Sequence, residues 1–579
     1  MKEKVKIIAK TVLAILVPIF TFYLFEWFTH NPTRDMLPGI QVYNIILFEL
    51  IMVLLFMLTG SLRIALFIEM GFFIFYGLAN YFVFSFRSLP IQPWDLYSIR
   101  TAVSVAGNYD YDLTYEVKRS LRIFFVLLIV VAIGGKFNIR KKHLVRGIGT
   151  ALSVILLIVY VSILGNENFA INTLQIFDKP FFIDAMSYKN GTALAFIYEA
   201  KKYMTVEVPQ GYNTNEQEKI LASKETDVMQ ERKPNIIVIM DETFSDPSVL
   251  GDFDTNEDYM PFIHSLQNGA ENTVTGNLHV SVKGGNTANT EFEFLTGNTM
   301  AFLPQGSIAY QQFIHSEVPT LASYLQSIGY TTRAAHPYYA NGWDRYKVYP
   351  LLGFQQADYV ESFPQVKIRD YISDEAAFSY IEDAYENKGN SPLFFFEVTM
   401  QNHSGYTEKY DNFIPDVIME DGGTDELSTY LSLMKKTDSA FKDLIDYFSN
   451  QHEEVIVVFF GDHQPNDSVV EPILEHNGKA TAALTEQERK DRYVVPFVIW
   501  ANFDIEEEHD IEISANYLSL LAFEKAGITL YPYQQFLKEI RMDIPVISAE
   551  EIQYAKENQG EEALLNYQRM QYYMMFKYK

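Results

Sequence analysis

Within its first ~165 residues the chain passes through several stretches of about 17 or more mostly apolar residues. At 1.5 Å rise per residue such a stretch is long enough to cross the hydrocarbon core of a bilayer. Hydrocarbon offers no partner to a backbone N–H or C=O, so a segment that crosses it singly must be a helix. Five are read, over 7–28, 40–59, 64–86, 121–135 and 148–165, the fourth being the shortest. The start is not that of a cleavable signal peptide, because its apolar run is long and further spans follow.

Charge divides the chain at the same place. Residues 1–165 carry 16 Lys or Arg against 9 Asp or Glu, a net of +7, and the remainder carries 30 against 64, a net of −34, together the −27 of the whole. Lys2, Lys4, Lys6 and Lys10 precede the first span, and Lys136, Arg140, Lys141, Lys142 and Arg146 crowd the loop between the fourth and fifth. The positive-inside rule then puts both in the cytoplasm and, with five spans, the C-terminal part outside the cell. A region so acidic is a poor partner for nucleic acid, whose phosphates need basic neutralisation. With no cysteine, disulfides, thiolate metal sites and a cysteine nucleophile are excluded. A large external domain without disulfides suits a Gram-positive cell surface.

The segment 87–119, with Pro90, Pro93, Trp94 and Tyr97, reads as an external loop lying at headgroup level. The expected organisation is a transmembrane domain over 1–165, a linker with surface helices over 166–232, a catalytic domain over 233–545 and a helical extension over 546–579. In the third part, apolar strands are read over 235–240, 393–399, 455–460 and 494–500, and helices over 318–327, 372–386 and 427–449. Near-continuous apolar strands alternating with helical periods argue a mostly parallel sheet covered on both faces. Ligands of such sheets bind beyond the carboxyl ends of the strands.

Those ends carry the chemistry. Glu242 follows Asn235–Met240, Asp462-His463 follows Val455–Gly461, and Thr287 lies between them in a Gly-Gly-Asn-Thr turn. Two carboxylates, one imidazole and a hydroxyl form an oxygen-dominated set that favours Mn²⁺ or Mg²⁺, with zinc also compatible. A threonine hydroxyl is a weak nucleophile near neutral pH and needs the activation that a divalent cation provides. The glycines of Lys283-Gly-Gly-Asn-Thr-Ala-Asn-Thr-Glu291 allow close approach to a ligand, and spacing alone leaves Thr287 and Thr290 as rival nucleophiles. His403, after the aromatic strand Phe394–Phe396, is placed to hydrogen-bond a phosphate oxygen or a leaving group. His336 and Trp343-Asp-Arg345 add an imidazole, an aromatic wall and a guanidinium suited to phosphate.

Taken in order, Ile-Met-Asp-Glu-Thr-Phe-Ser-Asp246, the Gly-Gly-Asn-Thr turn followed by Glu291-Phe, Trp343-Asp-Arg345, Asn402-His403 and Gly461-Asp-His463 resemble the lipoteichoic acid synthase family. Five N-terminal spans match it too, so the resemblance covers nearly the whole chain. It implies an alkaline phosphatase and sulfatase-like fold, with Glu242, Thr287, Asp462 and His463 holding one Mn²⁺ and Thr287, rather than Thr290, as nucleophile. His336, Trp343, Arg345 and His403 would line a glycerol phosphate pocket. The family usually has an acidic residue two places after the histidine matching His336, and here that place is Tyr338.

The activity so implied is transfer of glycerol phosphate from phosphatidylglycerol, through a phospho-threonine, to a hydroxyl of a teichoic acid, glycolipid or glycan acceptor at the membrane. A phosphodiesterase or phosphatase, a phosphoethanolamine transferase and a catalytically silent binding protein are the alternatives. Sulfate ester hydrolysis is not expected, because neither Cys nor Ser-x-Pro-x-Arg is present.

Overall fold

The computed structural model describes residues 2–28, 33, 35–87, 90–96, 113–166, 168–177, 183–202, 206–224, 232–304, 306–556 and 560–578. The chain falls into two compact units that part between residues 205 and 206. In the first, long helices span Lys2–Phe28 (α1), Pro38–Thr59 (α2), Leu62–Arg87 (α3), Tyr115–Gly134 (α4) and His143–Leu164 (α5). Four of them, α1, α2, α3 and α5, are long and apolar enough to cross a membrane. In α4 the residues Glu116, Lys118, Arg119 and Arg122 occupy the first two turns, so its apolar part is shorter. Of the loop expected at headgroup level, the Trp94 side chain and Tyr97 lie outside the described residues.

This unit is built inside out relative to a water-soluble bundle. Phe72, Phe75, Phe125, Ile155 and Ile158 point outward, whereas Glu26, Asn44, Glu69 and Asn80 are buried. The Asn44 side chain donates to the carbonyl of Asn190 at 2.8 Å, and Glu26 accepts from the backbone N–H of Thr192 at 3.0 Å. Polar groups turned inward and paired with backbone are what a lipid solvent imposes.

The second unit is organised by an eight-stranded sheet. Its strands are β1 (Asn235–Asp241), β2 (Thr273–His279), β3 (Thr331–Ala335), β4 (Gln356–Asp358), β5 (Leu393–Val398), β6 (Val455–Gly461), β7 (Val494–Ala501) and β8 (Glu508–Ser514). They lie in the order β8-β2-β7-β6-β1-β5-β3-β4, and every pairing is parallel except the two made by β7. Because successive strand residues face opposite ways, β1 sends Ile236, Val238 and Met240 into one core layer and Ile237 and Ile239 into the other. The first layer is closed by α6 (Thr287–Thr296), α10 (Ala515–Ala526) and α11 (Glu561–Phe576), and the second by α8 (Asp374–Glu386) and α9 (Asp425–Ser449). In α11, Tyr567 and Tyr573 are buried in that first layer. The fold is the expected one, a mostly parallel sheet covered by helices on both faces.

At the end of β2, His279 lies between two carboxylates, its Nδ1 2.5 Å from Glu551 and its Nε2 2.6 Å from Glu512. Burial by itself would depress this imidazole, but the hydrogen bonds to Glu512 and Glu551 prevail and lift it to about 9. A folded-state value above the ordinary 6.5 contributes stability that is complete below pH 6.5 and disappears as pH rises through 9. The urea midpoint of the wild type is therefore expected to exceed that of His279→Gln at pH 6 and to converge with it by pH 10, read by tryptophan fluorescence of the full chain in detergent.

Candidate metal and phosphate site

Register builds the centre of this site. Parallel pairing sets Asp241 of β1 beside Gly461 of β6, so the next residues of both strands, Glu242 and Asp462-His463, emerge together. The close approach requires glycine at 461, where a Cβ would lie 1.8 Å from the Phe244 carbonyl oxygen. After Glu242 the chain turns sharply at Thr243, with φ 53°. There the Thr243 N–H donates to Asp462 Oδ1 at 2.6 Å and its hydroxyl donates to Glu242 Oε1 at 2.9 Å.

Thr287 arrives from a loop wound through left-handed backbone. Gly284, Gly285 and Asn286 have φ of 66°, 146° and 68°, and α6 begins at Thr287 itself. Its hydroxyl donates to Glu242 Oε2 at 3.2 Å. Thr290, one turn on, is wholly buried and donates to the main-chain carbonyl of Asp462 at 2.8 Å. The Gly284 N–H donates to the Gln464 carbonyl oxygen at 2.9 Å, and the same oxygen lies 2.9 Å from His463 Nδ1.

That last contact makes Nδ1 the protonated nitrogen and leaves a lone pair on Nε2. Nε2 sits 3.2 Å from Asp462 Oδ2 and 3.8 Å from Glu242 Oε1. Among the described residues, neither Asp462 Oδ2 nor His463 Nε2, both buried, has a hydrogen-bond partner. Burial is the chief cause that pushes Asp462 above the usual carboxylate range, and the charge of Glu242 adds to it. Three electron-rich atoms within 4.8 Å of one another repel unless a cation lies among them. The donor set of Glu242, Asp462 and His463, with the Thr287 hydroxyl beside it, fits a divalent cation.

Of the other residues singled out in the sequence, His403 lies within electrostatic reach of Glu242 and His463, and His336 within that of His403 and Arg345. His403 follows β5 and is half-buried. Its Nδ1 lies 3.1 Å from the Tyr371 hydroxyl, and burial, with Arg369 and His463 contributing against Glu242, holds it below the ordinary histidine value. The neighbouring Asn402 donates to Asp241 Oδ1 and to Thr437, each at 2.8 Å. His336, at the end of β3, is buried with Nδ1 2.8 Å from the Val398 carbonyl oxygen, and burial and Arg345 depress it strongly. Trp343 and Asp344 are both left-handed, with φ of 53° and 58°, and they deliver Arg345 to the start of α7 (Arg345–Leu351).

Two residues that the sequence did not single out for a role hold these in place. Glu291 grips the buried guanidinium of Arg345, with Nε at 3.0 Å and Nη2 at 2.5 Å from Oε1, and accepts from Tyr349 at 2.8 Å. Its position one helical turn after Thr287 was the available signal, since residues i and i+4 share a face. Arg369 is the second. Its Nη2 donates to the carbonyls of Gln401 and His403, both at 2.7 Å, and so staples the His403 loop. No spacing in the sequence points to it.

The Sulfatase family matches residues 234–523. A Rhizobium meliloti protein named for cyclic β-1,2-glucan modification is 32% identical over 359 residues, 61% of this chain and 55% of its own length. Lipoteichoic acid synthase of Staphylococcus aureus (strain NCTC 8325) is 26% identical over 243 residues, 40% of this chain and 36% of its own. The chain thus spans about half the length of the first of these relatives, and less of the second. Among solved structures, the Streptococcus pyogenes phosphoglycerol transferase GacH in complex with sn-glycerol-1-phosphate superposes with a TM-score of 0.51 at 22% identity, over 64% of this chain and 95% of that one. The lipooligosaccharide phosphoethanolamine transferase A of Neisseria meningitidis gives 0.52 at 12% identity, over 89% and 95%. At these identities the two structures show a shared fold.

Two outcomes are expected. Glu242→Gln and Asp462→Asn each remove a charged donor, so metal analysis of the purified chain should find the divalent cation of the wild type lost from both variants. Arg345→Leu leaves Glu291 buried and uncompensated and should destabilise the second unit by about 3–5 kcal/mol, read as a lowered urea midpoint.

Proposed function

Because the chain belongs to the Sulfatase family and is homologous to lipoteichoic acid synthases, we propose that it transfers glycerol phosphate from phosphatidylglycerol to an acceptor hydroxyl, with Thr287 as nucleophile and the second unit outside the cell. One observation carries this reading: the Thr287 hydroxyl rests on Glu242, inside a buried set of two carboxylates and an imidazole that fits a divalent cation. Glu242, Asp462 and His463, with Thr287, would hold that cation, Mn²⁺ or Mg²⁺ by the hardness of the donors. When bound, it supplies positive charge that favours an ionised hydroxyl and neutralises the transferring phosphoryl group.

The remaining work belongs to the chain's own groups. Thr287 Oγ1 already donates toward Glu242 Oε2, which orients its lone pairs away from that carboxylate and toward incoming phosphorus. As the Oγ1–P bond forms, the bond from phosphorus to the diacylglycerol oxygen breaks, and the proton leaving Thr287 is delivered to that oxygen. The acceptor hydroxyl then repeats the exchange in reverse: its oxygen bonds to phosphorus, the Thr287–P bond breaks, and its proton returns to Thr287. His403, its proton affinity lowered by burial and its ring steadied by Tyr371, is suited to relay a proton at the leaving or entering oxygen. Arg345, fixed by Glu291, and His336 present positive charge and a ring nitrogen to the phosphate.

Thr290 does not compete for this role, since its hydroxyl is committed to the Asp462 carbonyl. Thr287→Ala is expected to reduce diacylglycerol release from fluorescent phosphatidylglycerol by roughly 10³-fold or more while Thr290→Ser retains most of it. Undiminished release by Thr287→Ala would defeat the mechanism, and release that is equally fast from phosphatidylethanolamine would redirect it to another headgroup.

A further inference from the structure

The loop that delivers Thr287 has little of its own to hold it. Gly284 and Gly285 carry no side chain to pack, and a Cβ at Gly285 would meet nothing within 4 Å. Misplacing a reacting group by about 1 Å can cost roughly 10²-fold in rate. What fixes the loop therefore matters as much as what it carries.

An ion triad outside the candidate centre supplies the hold. Lys283, the residue before the two glycines, donates from Nζ to both oxygens of Asp467, at 2.9 and 3.1 Å. Asp467 begins the helix Asp467–His476, shortly after His463. Its Oδ1 also accepts from Arg492, from Nε at 3.3 Å and from Nη2 at 3.0 Å. Arg492 is 1% exposed, and the rest of its guanidinium is bound to the same segment, Nη2 donating to the Pro465 carbonyl oxygen at 2.8 Å and Nη1 to the Gln464 side chain. The Gln464 side-chain amide donates to the carbonyls of Asp491 and Val494, both at 2.7 Å, which seats it against the start of β7.

A lysine–aspartate pair at a protein surface contributes little, since two long side chains must be ordered to make it. Here the aspartate is ordered already by Arg492, and the Lys283 and Asp467 side chains are only 17% and 20% exposed. Burial alone would raise the Asp467 carboxyl, but the charges of Lys283 and Arg492 hold it below the usual carboxylate range. The lysine therefore meets a fixed, charged partner. Spanning both carboxylate oxygens, it is committed to the protein rather than offered to a substrate phosphate.

We propose that Lys283 is a positioning residue for Thr287, and that Asp467 and Arg492 are the fixed anchor through which it acts. The inference rests on the transfer reading for what the hydroxyl does, and adds to it how the hydroxyl is kept in place.

Lys283→Met keeps an unbranched apolar stem and removes the charge. In the full chain in detergent it should lower kcat for diacylglycerol release about 10- to 100-fold while KM and bound divalent metal stay at wild-type values, and Lys283→Arg should recover most of the rate. Hydrogen exchange of residues 283–291, read by mass spectrometry on the same samples, should quicken about tenfold in Lys283→Met, return to the wild-type rate in Lys283→Arg and leave β1 and β6 unchanged. Wild-type kcat in the methionine variant, no recovery by arginine, loss of the metal, or loop exchange as slow as in the wild type would each overturn the proposal. A loss confined to KM would overturn it too, making Lys283 a substrate contact instead. If the wild type releases no diacylglycerol but loop exchange responds as expected, the transfer reading falls and the hold on the loop stands.

Discussion

The register between β1 and β6 is the constraint on which the site depends. Seven residue pairs run from Asn235↔Val455 to Asp241↔Gly461, all of them buried, and a slip by one residue would turn every core side chain to the wrong face. Hydrophobic burial therefore fixes the alignment, and the alignment brings Glu242, Asp462 and His463 to one point. The energy that holds electron-rich groups together is thus supplied by apolar strands below them.

Strain and buried charge collect at the same place. Thr243, Asn286, Trp343, Asp344 and Arg369 all have φ between 53° and 68°, and each lies beside or within a segment that delivers a site residue. Left-handed backbone in side-chain-bearing residues costs free energy and persists where the surroundings over-determine it. Behind the site, Asp241, Asp374 and Glu397 are fully buried, and burial pushes all three upward, Asp374 to about 7. Asn402 and Thr437 link the first two, since Asn402 donates to both Asp241 and Thr437, and Thr437 donates to Asp374. The network ties the ends of β1 and β5 to α8 and α9, which makes the candidate site a rigid corner of the domain.

Much of this was legible in the sequence, for physical reasons that also explain what was not. β1, β5, β6 and β7 are central and buried on both faces, so they read as unbroken apolar runs. β8 is an edge strand with alternately exposed Glu508, Asp510 and Glu512, and β3 is Thr-Thr-Arg-Ala-Ala without a large apolar residue. β2 is interrupted by Gly276, whose missing Cβ admits the Ile511 carbonyl oxygen at 2.1 Å from where that atom would stand. The candidate ligands are consecutive with strand ends and were read from them. The Glu291–Arg345 pair is separated by 54 residues, and Arg369 lies 34 residues from His403. Such partnerships are made by packing, and no local pattern encodes them.

One main-chain atom couples parts that would otherwise be independent. The Gln464 carbonyl oxygen receives both the imidazole proton of His463 and the amide proton of Gly284. A displacement of the glycine loop would alter how strongly that oxygen polarises the ring, and a rotation of the ring would tug on the loop that carries Thr287. Nucleophile position and ligand basicity are therefore geared together through a single main-chain dipole, and evolution could not readily adjust one without retuning the other.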